Sequence, residues 1–227
     1  MISAREVSVA NLMDEEALMR TTLYLLRHAA TEANLANPPR LQGRKHNPPL
    51  AKLGIRQAEA TRDFLAVRPI DVCYCSPLLR ATQTAQILAA PYGLAPIPAE
   101  ALTECDIGRW EGQDWQSIRY FDAAAYREFM TDPATHGYPD GESFRQVHDR
   151  AAPFFEGLLG RHEGQSILVV SHRIVNRVYL SGLLGLPLVQ AREVLLDNCG
   201  ISGVTREDGK TSVNMLNASF HLQGVAA

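Results

Sequence analysis

Three short apolar runs punctuate the chain, and each stops at a polar or basic pair. Leu23-Tyr24-Leu25-Leu26 ends at Arg27-His28, residues 70–75 end at Ser76, and Ile167-Leu168-Val169-Val170 ends at Ser171-His172. Apolar runs of this length without polar alternation read as strands buried on both faces. Between and after them, apolar positions recur at helical spacing over residues 52–66, 76–89, about 117–130, 143–159 and 173–184. Strands alternating with helices predict an α/β fold: one three-layer domain with a mainly parallel central sheet and helices on both faces. Residues 201–205 and 211–216, separated by Glu207-Asp208-Gly209-Lys210, read as a closing hairpin-like pair.

Residues 1–20 read as an N-terminal extension, with Leu12, Ala17, Leu18 and Met19 on one face of a short helix, and residues 21–222 as the domain. Pro- and Gly-bearing clusters at Asn37-Pro38-Pro39, Asn47-Pro48-Pro49 and Tyr138-Pro139-Asp140-Gly141 mark loops inside that domain. At 227 residues the chain is long enough to bury a substantial core.

Charge narrows the partners: 22 basic against 25 acidic residues give a net charge of -3, without the basic surplus that tracking a nucleic-acid backbone requires. Cys73, Cys75, Cys105 and Cys199 form no CxxC pair and read as buried thiols of a reducing compartment. Arg5, Glu6, Asp14, Glu15 and Glu16 break up the apolar residues near the start, unlike a signal peptide, and no segment is apolar enough to span a membrane. A cytoplasmic protein without nucleic-acid or membrane partners is the expectation.

In open parallel sheets the ligand site lies beyond the carboxyl ends of the strands. That edge collects Arg27 and His28, then Ser76-Pro77 and Arg80, then Ser171-His172-Arg173. Ser76 reads as the N-cap and Pro77 as the first residue of a helix, with Arg80 about four positions in. A cation there opposes the helix macrodipole by roughly 0.3–1 kcal/mol, and a bound anion reverses the penalty. Several guanidinium groups and imidazoles supply more donors than a carboxylate accepts, so a phosphate fits best. There is no GxxxxGK loop, no carboxylate cluster for Mg²⁺ and no HxH or HExxH metal spacing among His46, His136, His148, His162 and His221. No metal and no cofactor are expected. The nucleophile must then be a side chain, and His28 is the candidate.

At this point the sequence resembles the histidine phosphatase superfamily, also called phosphoglycerate mutase-like, in the branch of small phosphatases and cofactor-dependent mutases. Arg27-His28-Ala29-Ala30-Thr31-Glu32-Ala33-Asn34 is similar to the signature RHG-x-T-x-x-N, and Pro49 through Ala58 to PLT-x-x-G-x-x-QA. Ser76 through Ala85 resembles SPL-x-RA-x-QTA, Leu102-Thr103-Glu104 through Gly112 the loop carrying the acid, and Val169-Val170-Ser171-His172 the second histidine motif. The five lie in order over about residues 23–201.

The resemblance implies a phosphohistidine on His28, Glu104 as general acid and base, and Arg27, Arg80 and His172 as the phosphate pocket. It also implies that Thr31 and Asn34 orient the phosphate and that Gln42-Gly43 lies beside it. Asp106 and Glu111 share the acid's loop and remain alternatives to Glu104. Ala29 stands for the usual Gly, Ala51 for the usual helix-capping Thr, and Arg173 for the usual Gly after the second histidine. Arg173 either adds a cation near the substrate or points to solvent. Trp110 and Trp115 are expected to pack under the acid loop. The activity so implied is a metal-independent phosphatase acting on a small phosphomonoester, a phosphorylated metabolite. The alternatives are a cofactor-dependent phosphoglycerate-type mutase, and a catalytically silent phosphate-binding protein. Mutases usually carry extra sequence after the acid, which is missing here. Oligomeric state is not readable.

Overall fold

The three apolar runs pair side by side at the centre of one sheet. A computed structural model of the chain describes residues 20–225, so the expected extension helix lies outside the described residues. The strands are β1 (Thr21–Arg27), β2 (Val72–Cys75), β3 (Ile97–Pro98), β4 (Ser166–Ser171), β5 (Ile201–Glu207) and β6 (Lys210–Ala218), ordered β3-β2-β4-β1-β5-β6. Pairs β2-β3, β2-β4 and β1-β4 are parallel, while β1-β5 and β5-β6 are antiparallel, so the closing hairpin extends a parallel core.

Both faces of the central strands are apolar for a visible reason. Leu23, Leu25, Ile167 and Val169 pack on one side against α6 (Phe144–Arg161) and α7 (Arg173–Leu183), with Phe155 and Val178 fully buried between them. Their neighbours in sequence, Leu26, Leu168 and Val170, face the opposite layer of α2 (Lys52–Leu65) and α3 (Leu79–Ala89) through Leu65, Ala81, Ala85 and Leu88. Alternate residues therefore serve two cores, as expected of a sheet sandwiched between helices.

Two expectations need correction. The third helix starts at Leu79 with Leu78 as its cap, so Arg80 is its second residue, and Ser76 and Pro77 precede it. The helix expected over 117–130 is two, α4 (Trp115–Phe121) and α5 (Ala123–Thr131), broken at Asp122, whose carboxylate is committed to Arg109 and to the Trp110 indole N–H. The two-residue strand β3 and a one-turn α1 (Glu32–Leu35) carry too little apolar pattern to be read in advance. Pro153 sits within α6 without ending it.

Candidate active site

Register brings the strand tips level. Arg27 pairs with Ser171, Cys75 pairs with Val170, and the ladder continues one residue further through His28 N–H to the Ser171 carbonyl and Ser76 N–H to the Val170 carbonyl. Arg27, His28, Ser76 and His172 thus meet at one edge of the sheet. All are inside: Arg80 and His172 are 0 % exposed, His28 3 %, Arg27 and Glu104 4 %. Arg80 is therefore no surface arginine on an amphipathic helix but lies in the interior.

Motif residues outside the pocket brace the loop that follows β1. Ala29 N–H donates to Thr84 Oγ1 at 3.0 Å, Ala30 N–H to Gln57 Oε1 at 3.0 Å, and Ala51 N–H to the Ala30 carbonyl at 2.9 Å. Gly54 lies against the same carbonyl; a Cβ there would sit 2.0 Å from the Ala30 oxygen. Ala51 begins α2 without a side-chain cap, and this backbone bond to Ala30 is what ties that helix start to the loop.

The imidazole of His28 is held in one tautomer. Nδ1 lies 2.7 Å from the Ala29 carbonyl, an acceptor only, so Nδ1 carries the proton and Nε2 keeps its lone pair. Arg80 Nε donates to that Nε2 at 3.3 Å, while its Nη atoms donate to the carbonyls of Gly43 at 2.8 Å and His46 at 3.1 Å. Burial, then Arg80 and Arg27, push the His28 pKa well below the usual imidazole value, so the ring is neutral. His172 is depressed likewise by burial and then by Arg80. The two rings are 5.2 Å apart, and His172 Nε2 is 2.7 Å from Ser76 Oγ, so Ser76 serves the second histidine instead of capping a helix.

Arg27 anchors one Nη on the Leu196 carbonyl at 3.0 Å and leaves its buried Nε without a partner. Glu104 accepts from Cys105 N–H through Oε1 at 2.8 Å and lines the same cleft of about 530 Å³ as Arg27, His28, Asn34 and Gln42. The neighbouring carboxylates are engaged elsewhere. Asp106 accepts from Gly108 N–H, and Glu111 accepts from the backbone N–H groups of Gly43 and His46; neither lines the cleft. Asn34 and Gln42 line the cleft, and the fully buried Thr31 ties them together from behind: its Oγ1 is 2.9 Å from Gln42 Oε1, and Asn34 Oδ1 accepts from its N–H. Gly43 is required where it stands, since a Cβ would lie 2.6 Å from Glu111 and 2.8 Å from the Cys105 carbonyl. Arg173 is exposed and also lines the cleft, so it both faces solvent and adds a cation. Trp110 is fully packed under the acid loop; Trp115 packs on it but is 38 % exposed and reaches the cleft.

Sequence patterning missed Asn198, whose Nδ2 donates to the His28 carbonyl at 2.8 Å and to Asn34. A signal existed: β5 runs antiparallel to β1, so a polar residue just before Ile201 must arrive beside the C-terminal tip of β1. It also missed Arg150, which donates to the carbonyls of Ala101 and Glu104 and pairs with Glu142, fixing the acid loop from below. Among the described residues, no three His, Cys, Asp or Glu side chains are arranged to hold a metal ion.

A buried neutral imidazole beside buried guanidinium groups thus stands at the carboxyl edge of the sheet, an arrangement whose charge suits an anion. The chain belongs to the histidine phosphatase superfamily (branch 1), whose model matches residues 23–219. It is 31 % identical over 200 residues to phosphoserine phosphatase 1 of Hydrogenobacter thermophilus, covering 88 % of this chain and 93 % of that one. It is 32 % identical over 193 residues to a probable phosphoglycerate mutase of Proteus mirabilis, covering 85 % and 88 %. The crystal structure of phosphoserine phosphatase from Entamoeba histolytica, in complex with 3-phosphoglyceric acid, superposes with a TM-score of 0.79 at 27 % identity, covering 89 % of this chain and 99 % of that one.

Proposed function

We propose that the protein is a phosphoric monoester hydrolase that transfers the phosphoryl group of a small phosphorylated metabolite to His28 and then to water. The observation that carries this reading is the single tautomer of His28, with Nε2 unprotonated and aimed among Arg80, Arg27 and His172. Family membership and the phosphatases among the relatives support the same reaction class.

In the first step Nε2 attacks phosphorus, the P–O ester bond breaks, and the departing oxygen takes a proton from Glu104. In the second, Glu104 accepts a proton from water, the water oxygen attacks phosphorus, and the P–N bond breaks to release inorganic phosphate. Arg27, Arg80 and His172 hold the non-bridging oxygens throughout, in a pocket where charge is poorly screened. Thr31, Asn34, Gln42 and Gly43 shape the wall beside the phosphate, and Arg173 extends the positive field outward. The four buried free thiols fit a reducing, cytoplasmic setting.

A substrate panel with wild type and His28→Ala tests the reading. The expected result is phosphate release by the wild type, an acid-labile phosphoenzyme on rapid quenching, and loss of both in the variant. Turnover confined to interconversion of 3- and 2-phosphoglycerate with bisphosphoglycerate present would establish the mutase instead. Binding of a phosphate analogue with no phosphoenzyme and no turnover would establish a silent binder.

A further inference from the structure

Beside the cleft around His28 lies a second cavity of about 480 Å³ that shares part of its lining. Trp115, Arg173 and Arg177 line both spaces, while Met130, Val189, Arg192 and Glu193 line only the second. Its charge is lopsided: three guanidinium groups face one carboxylate, Glu193, which is exposed. Among the described residues none of the three arginines forms an ion pair. Arg177 donates Nε to the Val194 carbonyl at 2.7 Å, and Arg192 lies 5.8 Å from the centre of the Phe129 ring with Nη1 on the Met130 sulfur.

Such an arrangement costs stability on its own. Arg173 and Arg177 are four residues apart on α7, where like charges repel, and Arg173 sits in the first turn, where the helix dipole disfavours a cation. Burial, followed by repulsion from Arg173, lowers the Arg177 pKa to about 10. Phosphate at His28 relieves only the inner end, because Arg192 does not line the cleft that holds it. A cavity of this volume lined by three guanidinium groups outside any ion pair has the size and the donors to receive an anionic group.

We infer that Arg173, Arg177 and Arg192 bind a second anionic group, so the substrate is a phosphomonoester whose organic body crosses the Trp115 indole and ends in a carboxylate or a second phosphate. This rests on the phosphatase reading for the identity of the first group and on the second cavity for the other.

The test uses alkanediol bisphosphates of increasing length, the alkyl monophosphates of the same lengths, and phosphonooxy-alkanoates as the carboxylate version. Phosphate release is measured for wild type, Arg192→Gln and Arg177→Gln. Beyond a threshold length, the doubly anionic substrates should exceed the monophosphate in kcat/KM on the order of tenfold, mainly through KM. Whether the carboxylate or the bisphosphate series gains more identifies the second group. Arg192→Gln, at a half-buried position outside the catalytic ring, should bring the ratio near unity while its melting transition stays cooperative. Equal handling at every length, or a ratio that survives both substitutions, overturns the second site. Calorimetric titration of the same pairs into His28→Ala reads the preference without turnover. A wild type that releases no phosphate yet prefers the bisphosphate upholds the second site and sinks the hydrolase reading, whereas turnover without preference does the reverse.

Discussion

Arg80 shows most plainly why the identity of a side chain matters here more than its charge. Its guanidinium donates in three directions at once, to His28, to the Gly43 carbonyl and to the His46 carbonyl, which fixes its plane against the proposed nucleophile. An ammonium on a flexible stem keeps the charge and loses that geometry. Arg80→Lys should therefore lower kcat by on the order of 10²–10³, with the fold intact by circular dichroism. Glu104 supplies a different kind of test, because a general acid matters in proportion to how poor the leaving group is. Glu104→Gln should depress hydrolysis of an alkyl phosphate by on the order of 10²–10⁴ and hydrolysis of p-nitrophenyl phosphate much less. An equal loss on both substrates would assign the proton to another group.

At the level of elements, α2 acts on the site without touching it, and α3, which carries Arg80 into the site, also supports it from outside through Thr84. Gly54, Gln57 and Thr84 brace the loop after β1, and Gly54 tolerates no side chain because the Ala30 carbonyl occupies the space. Gly54→Ala should lower stability by roughly 1–3 kcal/mol and reduce phosphate release together, seen as a drop in Tm and in kcat. The layering and the strand tips were legible in the sequence because the three core strands are apolar on both faces, and Arg27, His28, Arg80, Glu104 and His172 could be placed from their motifs. What was not legible depended on partners distant in the chain. Ser76 looked like a helix cap because Ser-Pro is a helix-start signal, yet its hydroxyl is taken by His172, 96 residues away. Asn198 has no periodic pattern to announce it, and its position follows only once β5 is known to run against β1. The break at Asp122 is likewise set by Arg109 and Trp110 and not by local propensity.

For the molecule as a whole, burying two neutral imidazoles links the active site to acid stability. The ordinary value is near 6.5, and both His28 and His172 are held well below it, by burial first and Arg80 second. Below that value the unfolded chain binds protons that the folded chain refuses, so stability is full above about pH 6.5 and is lost as pH falls. The Tm should fall between about pH 7 and about pH 5, and the fall should be shallower in His28→Gln or His172→Gln. A parallel decline in wild type and both variants would place the acid sensitivity in other groups. On the proposed mechanism, the same burial leaves His28 ready for attack without first shedding a proton at neutral pH.

Residues 43 to 46 are gripped from two sides: Glu111 receives the N–H groups of Gly43 and His46, and Arg80 grasps the carbonyls of the same two residues. This short stretch of main chain is accordingly a mechanical joint between the acid's loop and the phosphate's cradle. Damage on either side should be felt on the other: Glu111→Gln, though it touches no substrate, should weaken phosphate affinity, and its effect should largely vanish once Arg80 has already been replaced.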